Sequence, residues 1–105
     1  MRTNLESELM AKSLKLWGIQ SQLLMLAEEA SELSVAALHM NRINKDQEQV
    51  WRNFVEEIAD VEFMISEMKY CFPGLEGDVI GSRNVKARRL DAMILQAELA
   101  SKSGK

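Results

Sequence analysis

Leu26-Ala27-Glu28-Glu29-Ala30-Ser31-Glu32-Leu33 is a helix-prone, otherwise apolar run that carries three carboxylates, and its pattern recurs. An offset of 28 carries it onto Phe54-Val55-Glu56-Glu57-Ile58-Ala59-Asp60-Val61, so Glu28, Glu29 and Glu32 fall on Glu56, Glu57 and Asp60. At roughly 100° per residue, Glu29 and Glu32 lie at the edge of a stripe made by Leu23, Leu26, Ala30, Leu33 and Ala37. Glu57 lies within the stripe of Val50, Phe54, Val61 and Met68, with Asp60 one step to its side. Glu28 and Glu56 point farther outward. The two copies therefore read as two helices with matching acidic and apolar edges.

Residues three apart on a helix have Cβ atoms roughly 5–6 Å apart, so each helix offers a convergent carboxylate pair. If the stripes face each other, Glu29, Glu32, Glu57 and Asp60 meet. Unpaired buried charges either neutralise or bind a metal, and a hard divalent cation resolves the repulsion within such a quartet. All-oxygen ligation favours Mg²⁺, with Mn²⁺ as a substitute; Ca²⁺ is compatible and zinc less natural. The competing reading is a solvated helix face. Phe54 and Val61 flank Glu57 on its own side of the helix and argue against free solvation there.

Taken in order, the chain reads as four helices. Thr3 and Glu6 are spaced as a capping box for a first helix that runs to about Trp17, and Gly18 marks a break or kink. A second helix runs from about Ile19 to Met40 or Arg42, followed by a polar loop over Asn41 to Lys45. Asp46 with Gln49 signals the start of a third helix that reaches about Tyr70, where Pro73-Gly74 stops it. A fourth begins near Asp78, or at Ser82 if Gly81-Ser82 interrupts it, and reaches about Ala100, with Leu90, Met93, Ile94 and Ala97 as its packing face. The tail, 101–105, is expected to fray. No stretch alternates as a strand would. The class is all-α, one domain over 1–105.

Bulk properties narrow the function. A chain of 105 residues with 47% hydrophobic and 28% charged residues is globular,, and short enough that oligomerisation commonly adds burial. A net charge of −3 leaves no electrostatic footprint for a nucleic acid polymer,. Arg83, Lys86, Arg88 and Arg89 form a local basic cluster that suits a phosphate better than a polymer. The single Cys71 excludes an intrachain disulfide and agrees with a reducing compartment,. Neither a membrane span nor a signal-peptide core is present in the sequence, so the expected location is cytoplasmic. Seven methionines supply adaptable packing, of the kind suited to a subunit interface,.

Rival chemistries find less support. A ferritin-like di-iron site expects Glu-x-x-His from two helices, whereas the only histidine, His39, stands alone and reads as structural or exposed. Cys71, beside Phe72-Pro73, has no histidine to activate it and reads as an idle thiol.

The pair Glu29-x-x-Glu32, a gap of 24 residues, and Glu57-x-x-Asp60 resemble the paired acidic motifs of the MazG-like all-α nucleoside triphosphate pyrophosphohydrolases, relatives of the dimeric dUTPases and dCTP pyrophosphatases. Leu26 to Leu33 is similar to that family's first motif, and Trp17-Gly18 with Gln20 and Gln22 resembles the segment leading into it. The resemblance covers most of the chain. It implies a four-helix, bundle-like fold in a homodimer or tetramer, with cleavage of a nucleoside triphosphate to the monophosphate and pyrophosphate. It further implies Mg²⁺ held by Glu29, Glu32, Glu57 and Asp60, with Glu29 or Glu32 orienting or deprotonating the attacking water, and Glu28 positioned to assist. Lys86 and Arg89, three apart on the last helix, are the implied phosphate contacts, with Asn84 a weaker candidate. The downstream pattern does not follow a strict family spacing, so which cation serves is left open among them. Trp17 could stack on a base, and Gln20 and Gln22 could read base or sugar edges; Trp51 is a poorer candidate. The other class of reading is a non-catalytic helical interaction or scaffold module, in which the acidic residues are surface and the methionine-rich faces bind a partner.

Overall fold

The computed structural model describes residues 4–42 and 47–103. It contains three helices, α1 (Asn4–Met40), α2 (Gln47–Cys71) and α3 (Leu75–Ser103), and no strand among the described residues. The all-α class expected from the pattern is therefore present. The Thr3 capping box, the Asp46 helix start and most of the expected loop, 43–45, lie outside the described residues.

Helix α1 is bent. Gly18 adopts φ 81° and ψ 167°, a combination essentially reserved for glycine, so the two expected segments on either side of it exist as arms of one kinked helix. Both arms are rich in strong helix formers, Leu, Glu and Lys before Gly18 and Leu, Ala and Glu after it,. At the far end, Asn41 N–H donates to Leu38 O and Arg42 N–H to His39 O, at 3.2 and 3.1 Å, tightening the last turn. Helix α2 ends as expected: Phe72 N–H still reaches Met68 O at 2.9 Å, but Pro73 has no N–H to continue the ladder,. Gly74, at φ 93°, then turns the chain, and its carbonyl accepts the Asp78 N–H at 3.1 Å.

The chain divides into two compact units, 1–73 and 74–105. In the first, α1 packs against α2. Three cross-helix neighbours fix the sense: Ser13 meets Glu67, Glu29 meets Asp60, and Glu32 meets Glu57. Rising numbers on α1 pair with falling numbers on α2, so the helices are antiparallel. The core of this unit is built from Met10, Ala36, Val50, Met64 and Met68, joined by two buried polar residues, Gln22 and Glu67. Among the described residues, three methionines thus fill the interior.

The seam on α1 differs from the expected stripe. Leu23, Ala30 and Ala37 are exposed, Leu26 and Leu33 are half-buried, and the inward series is Gln22, Glu29 and Ala36, each seven residues from the next. Glu29 accordingly sits on the contact line and not at its edge. On α2 the expected stripe holds: Val50 and Met68 are buried, and Phe54 and Val61 half-buried, as is Glu57 between them.

The second unit is α3. It starts at Leu75, earlier than the expected 78 or 82, and runs through Gly77, Gly81 and Ser82 without interruption. One or two helical glycines cost about 1 kcal/mol each, too little to break a 29-residue helix of otherwise good formers. It also continues past Ala100, so residues 101–103 of the expected frayed tail are helical. No residue of α3 is buried, and Leu90, Met93, Ile94 and Ala97 are exposed.

Candidate metal centre and adjoining cavity

The antiparallel register brings the two acidic motifs together. One carboxylate oxygen from each of Glu29, Glu57 and Asp60 lies within 4.8 Å of the other two. Glu29 lies within hydrogen-bonding reach of Asp60, and Glu57 within reach of Glu32, so the fourth member of the expected quartet joins through Glu57. Glu28 and Glu56 are exposed, as their helical phase requires.

This grouping is electrostatically unfavourable without a counter-charge. The Glu29 carboxyl is raised above its ordinary value, first by burial and then by the charge of Asp60, with Glu32 and Glu57 adding to it. The Glu57 carboxyl is raised first by burial and then by Glu32 and Asp60. One oxygen of each, Oε2 in both residues, is shielded from solvent and has no hydrogen-bond partner. Acceptor oxygens that are half-buried, negative and unpartnered are what a divalent cation satisfies. The donor set contains only carboxylate oxygens, which fits Mg²⁺ or Mn²⁺ and offers nothing to a softer metal.

A cavity of about 280 Å³ opens beside this cluster. The bend at Gly18 shapes it: Ser13 and Trp17 contribute from the arm before the bend, and Gln22, Met25 and Glu29 from the arm after it. Helix α2 supplies the opposite wall through Asp60, Phe63, Met64 and Glu67. Trp17 is exposed, whereas Gln22 is only 2% exposed and its Nε2 has no acceptor among the described residues.

At the end away from the acidic cluster stands Glu67, also 2% exposed. Its Oε1 lies 3.0 Å from the Ser13 hydroxyl and its Oε2 accepts from the Cys71 thiol at 3.8 Å. The Ser13 oxygen is also 3.1 Å from Met10 O, so its single proton serves one acceptor at a time. Burial, and then the adjacent Glu67 charge, raise the Cys71 thiol, which suits the idle thiol expected from the sequence. Sequence reading missed Glu67 as a site residue. The signal was present, because Glu67 is seven residues beyond Asp60 and therefore shares its face of the helix.

The remaining candidates are distributed as follows. Trp17 and Gln22 line the cavity, while Gln20 is exposed and lies outside its lining. Trp51 is exposed and makes a tilted contact with Phe54, ring centroids 6.3 Å apart. His39 is half-buried in the last turn of α1 and belongs to no acidic group. Asn84, Arg83, Lys86, Arg88 and Arg89 are all exposed on α3, in the second unit. No helix among the described residues is long and apolar enough to cross a membrane.

No protein-family model, curated protein or solved structure matches this chain.

Proposed function

We propose that the protein is a Mg²⁺-dependent nucleoside triphosphate pyrophosphohydrolase, which cleaves a ribo- or deoxyribonucleoside triphosphate to the monophosphate and pyrophosphate and so clears surplus or noncanonical nucleotides. The observation that carries this reading is the convergence of Glu29, Glu57 and Asp60 from two antiparallel helices, with shielded, unpartnered oxygens on the two glutamates, beside a cavity lined in part by Trp17 and Phe63. The resemblance of the paired acidic motifs to the MazG-like enzymes supplies the reaction class.

Glu29, Glu57 and Asp60, joined by Glu32 beside Glu57, would hold the cation. When bound, Mg²⁺ supplies neutralisation of the triphosphate, polarisation of the α-phosphorus and a lowered pKa for its water. Glu32, exposed and a neighbour of Glu57, or Glu29 would orient or deprotonate the attacking water,. Water attacks the α-phosphorus, the new bond being O–Pα, and the bridging oxygen leaves with pyrophosphate. Lys86 and Arg89, with Asn84 as a lesser contributor, are assigned to the phosphates by the resemblance. The same resemblance gives a homodimer or tetramer in which a four-helix, bundle-like arrangement is completed. Exposed Leu16, Leu24, Val35 and Leu38 on α1, each more than half exposed, support such assembly,.

Pyrophosphate release measured across the common and damaged nucleoside triphosphates, with and without Mg²⁺, tests the proposal. Release that depends on Mg²⁺ is the expected result, and its absence for every substrate would remove the enzymatic reading. Those same exposed apolar residues favour a second reading, a helical interaction module. Such a module would assemble with a partner but show no stabilisation by millimolar Mg²⁺.

A further inference from the structure

The cavity is lined by two buried groups for which the proposed hydrolysis has no use. Gln22 is 98% shielded, and its Nε2 has no acceptor. Glu67 is equally buried, and its partners are a hydroxyl and a thiol, the latter at 3.8 Å. A buried carboxylate that meets, among the described residues, a hydroxyl and a weak donor retains unused lone pairs, since two carboxylate oxygens offer about four acceptor sites. A buried donor or acceptor left unsatisfied is costly, and both groups line the same cavity. The lining thus presents one amide donor and one two-oxygen acceptor together with the aromatic rings of Trp17 and Phe63, of the kind on which a base stacks.

We propose that this cavity recognises a purine bearing a 6-oxo and a 2-amino group, the edge of guanine, with Glu67 accepting from the ring N1–H and the 2-amino group and Gln22 donating to the 6-oxo oxygen. The inference rests on the nucleotide reading above and adds its base. Guanine is the common base that offers two adjacent N–H donors to one carboxylate. Adenine and cytosine each offer a single exocyclic amino group beside a ring acceptor, and uracil flanks its one N–H with two carbonyls that would face the Glu67 oxygens. The cavity volume, near the lower end for ligand sites, suits a base while the phosphates extend toward Glu29 and Asp60.

Nucleosides without phosphate test the base site separately from the metal centre. In metal-free buffer, guanosine, inosine and uridine are titrated into the full chain while the Gln22 side-chain amide and the Trp17 indole are followed by NMR. Guanosine is expected to shift both signals and to bind about tenfold or more tighter than inosine, which lacks the 2-amino group and so one hydrogen bond to a charged acceptor. Uridine should bind more weakly than either. Glu67→Gln should erase the guanosine-over-inosine preference, and Gln22→Ala should weaken both purines alike, since both carry the 6-oxo group. Equal affinity for guanosine and inosine, no purine binding at millimolar concentration, or an unchanged preference in Glu67→Gln would overturn the assignment. Mg²⁺-dependent pyrophosphate release without base preference would overturn this inference and leave the hydrolase reading standing. Guanosine binding without any such release would do the reverse.

Discussion

At one end of the helix seam Glu29, Glu32, Glu57 and Asp60 crowd together, each half-buried or exposed and repelled by the others. At the other end Glu67 stands apart from that quartet, buried to 2% exposure and held by Ser13 and Cys71. Both ends use the same functional group and border the same cavity, yet they call for different ligands. Four converging carboxylates lack positive charge, and a multivalent cation supplies it. A solitary shielded carboxylate lacks donors, and N–H groups supply them. The environment assigns the chemistry, and the seven-residue step from Asp60 to Glu67 separates the two tasks along one helix face.

The largest expected difference between the ends is in turnover. Glu57→Gln, which removes the charge but little volume, should lower Mg²⁺-dependent pyrophosphate release by about 10²-fold or more while leaving a cooperative thermal transition. Retained release in both Glu57→Gln and Glu29→Gln would break the assignment of that end to a metal. The Glu67 end should respond in stability. Ser13→Ala removes the hydroxyl 3.0 Å from Glu67 Oε1, and hydrogen bonds to charged groups contribute about 1.5–3 kcal/mol, a loss readable by urea denaturation. A smaller change than about 0.5 kcal/mol would mean that Ser13 spends its proton on Met10 O.

The bend that relates the two ends can itself be tested. Gly18→Ala places a Cβ in open space, with nothing within 4 Å, so its whole cost is the backbone, about 1–3 kcal/mol at this φ and ψ. Gly81→Ala, equally unobstructed but inside α3, should instead gain up to about 1 kcal/mol. If both substitutions had the same sign, the kink would not be a glycine conformation.

Titration separates the ends most finely. Glu29 and Glu57 have folded-state values raised above the ordinary 4.5, chiefly by burial, so the folded chain holds their protons more tightly than the unfolded one. Their contribution to stability is fully present below 4.5 and is lost as pH rises through the raised folded values,. In the presence of a chelator, the stability of the native chain relative to the Glu29→Gln, Glu57→Gln double variant should therefore increase as the solution is acidified from neutrality. Added Mg²⁺ should flatten that dependence. A difference that stays constant with pH would contradict the crowding.

Much of this was legible in the sequence, because the repeated acidic motif and the 3.6-residue period act locally. Glu57 between Phe54 and Val61, the break at Gly18 and the stop at Pro73 all follow from rules that involve a few neighbours. The α1 seam was harder. Leucines at 23, 24 and 26 suggest an apolar stripe by composition alone, but α2 meets the helix about one position away, along Gln22, Glu29 and Ala36. Polar residues on a contact line carry no hydrophobic signal, so only the facing helix reveals them. Gly81-Ser82 misled in the opposite sense, since glycine lowers helix stability without forbidding it. Glu67 lay beyond the second motif, and its hydrogen-bond partner Ser13 stands 54 positions earlier.

Mg²⁺ titration by isothermal calorimetry probes the acidic centre most directly. Millimolar or tighter binding by the native chain, abolished in the Glu29→Gln, Glu57→Gln double variant, is the predicted result. No binding heat and no thermal stabilisation with the native chain would contradict a cation-holding role for the carboxylates that α1 and α2 bring together.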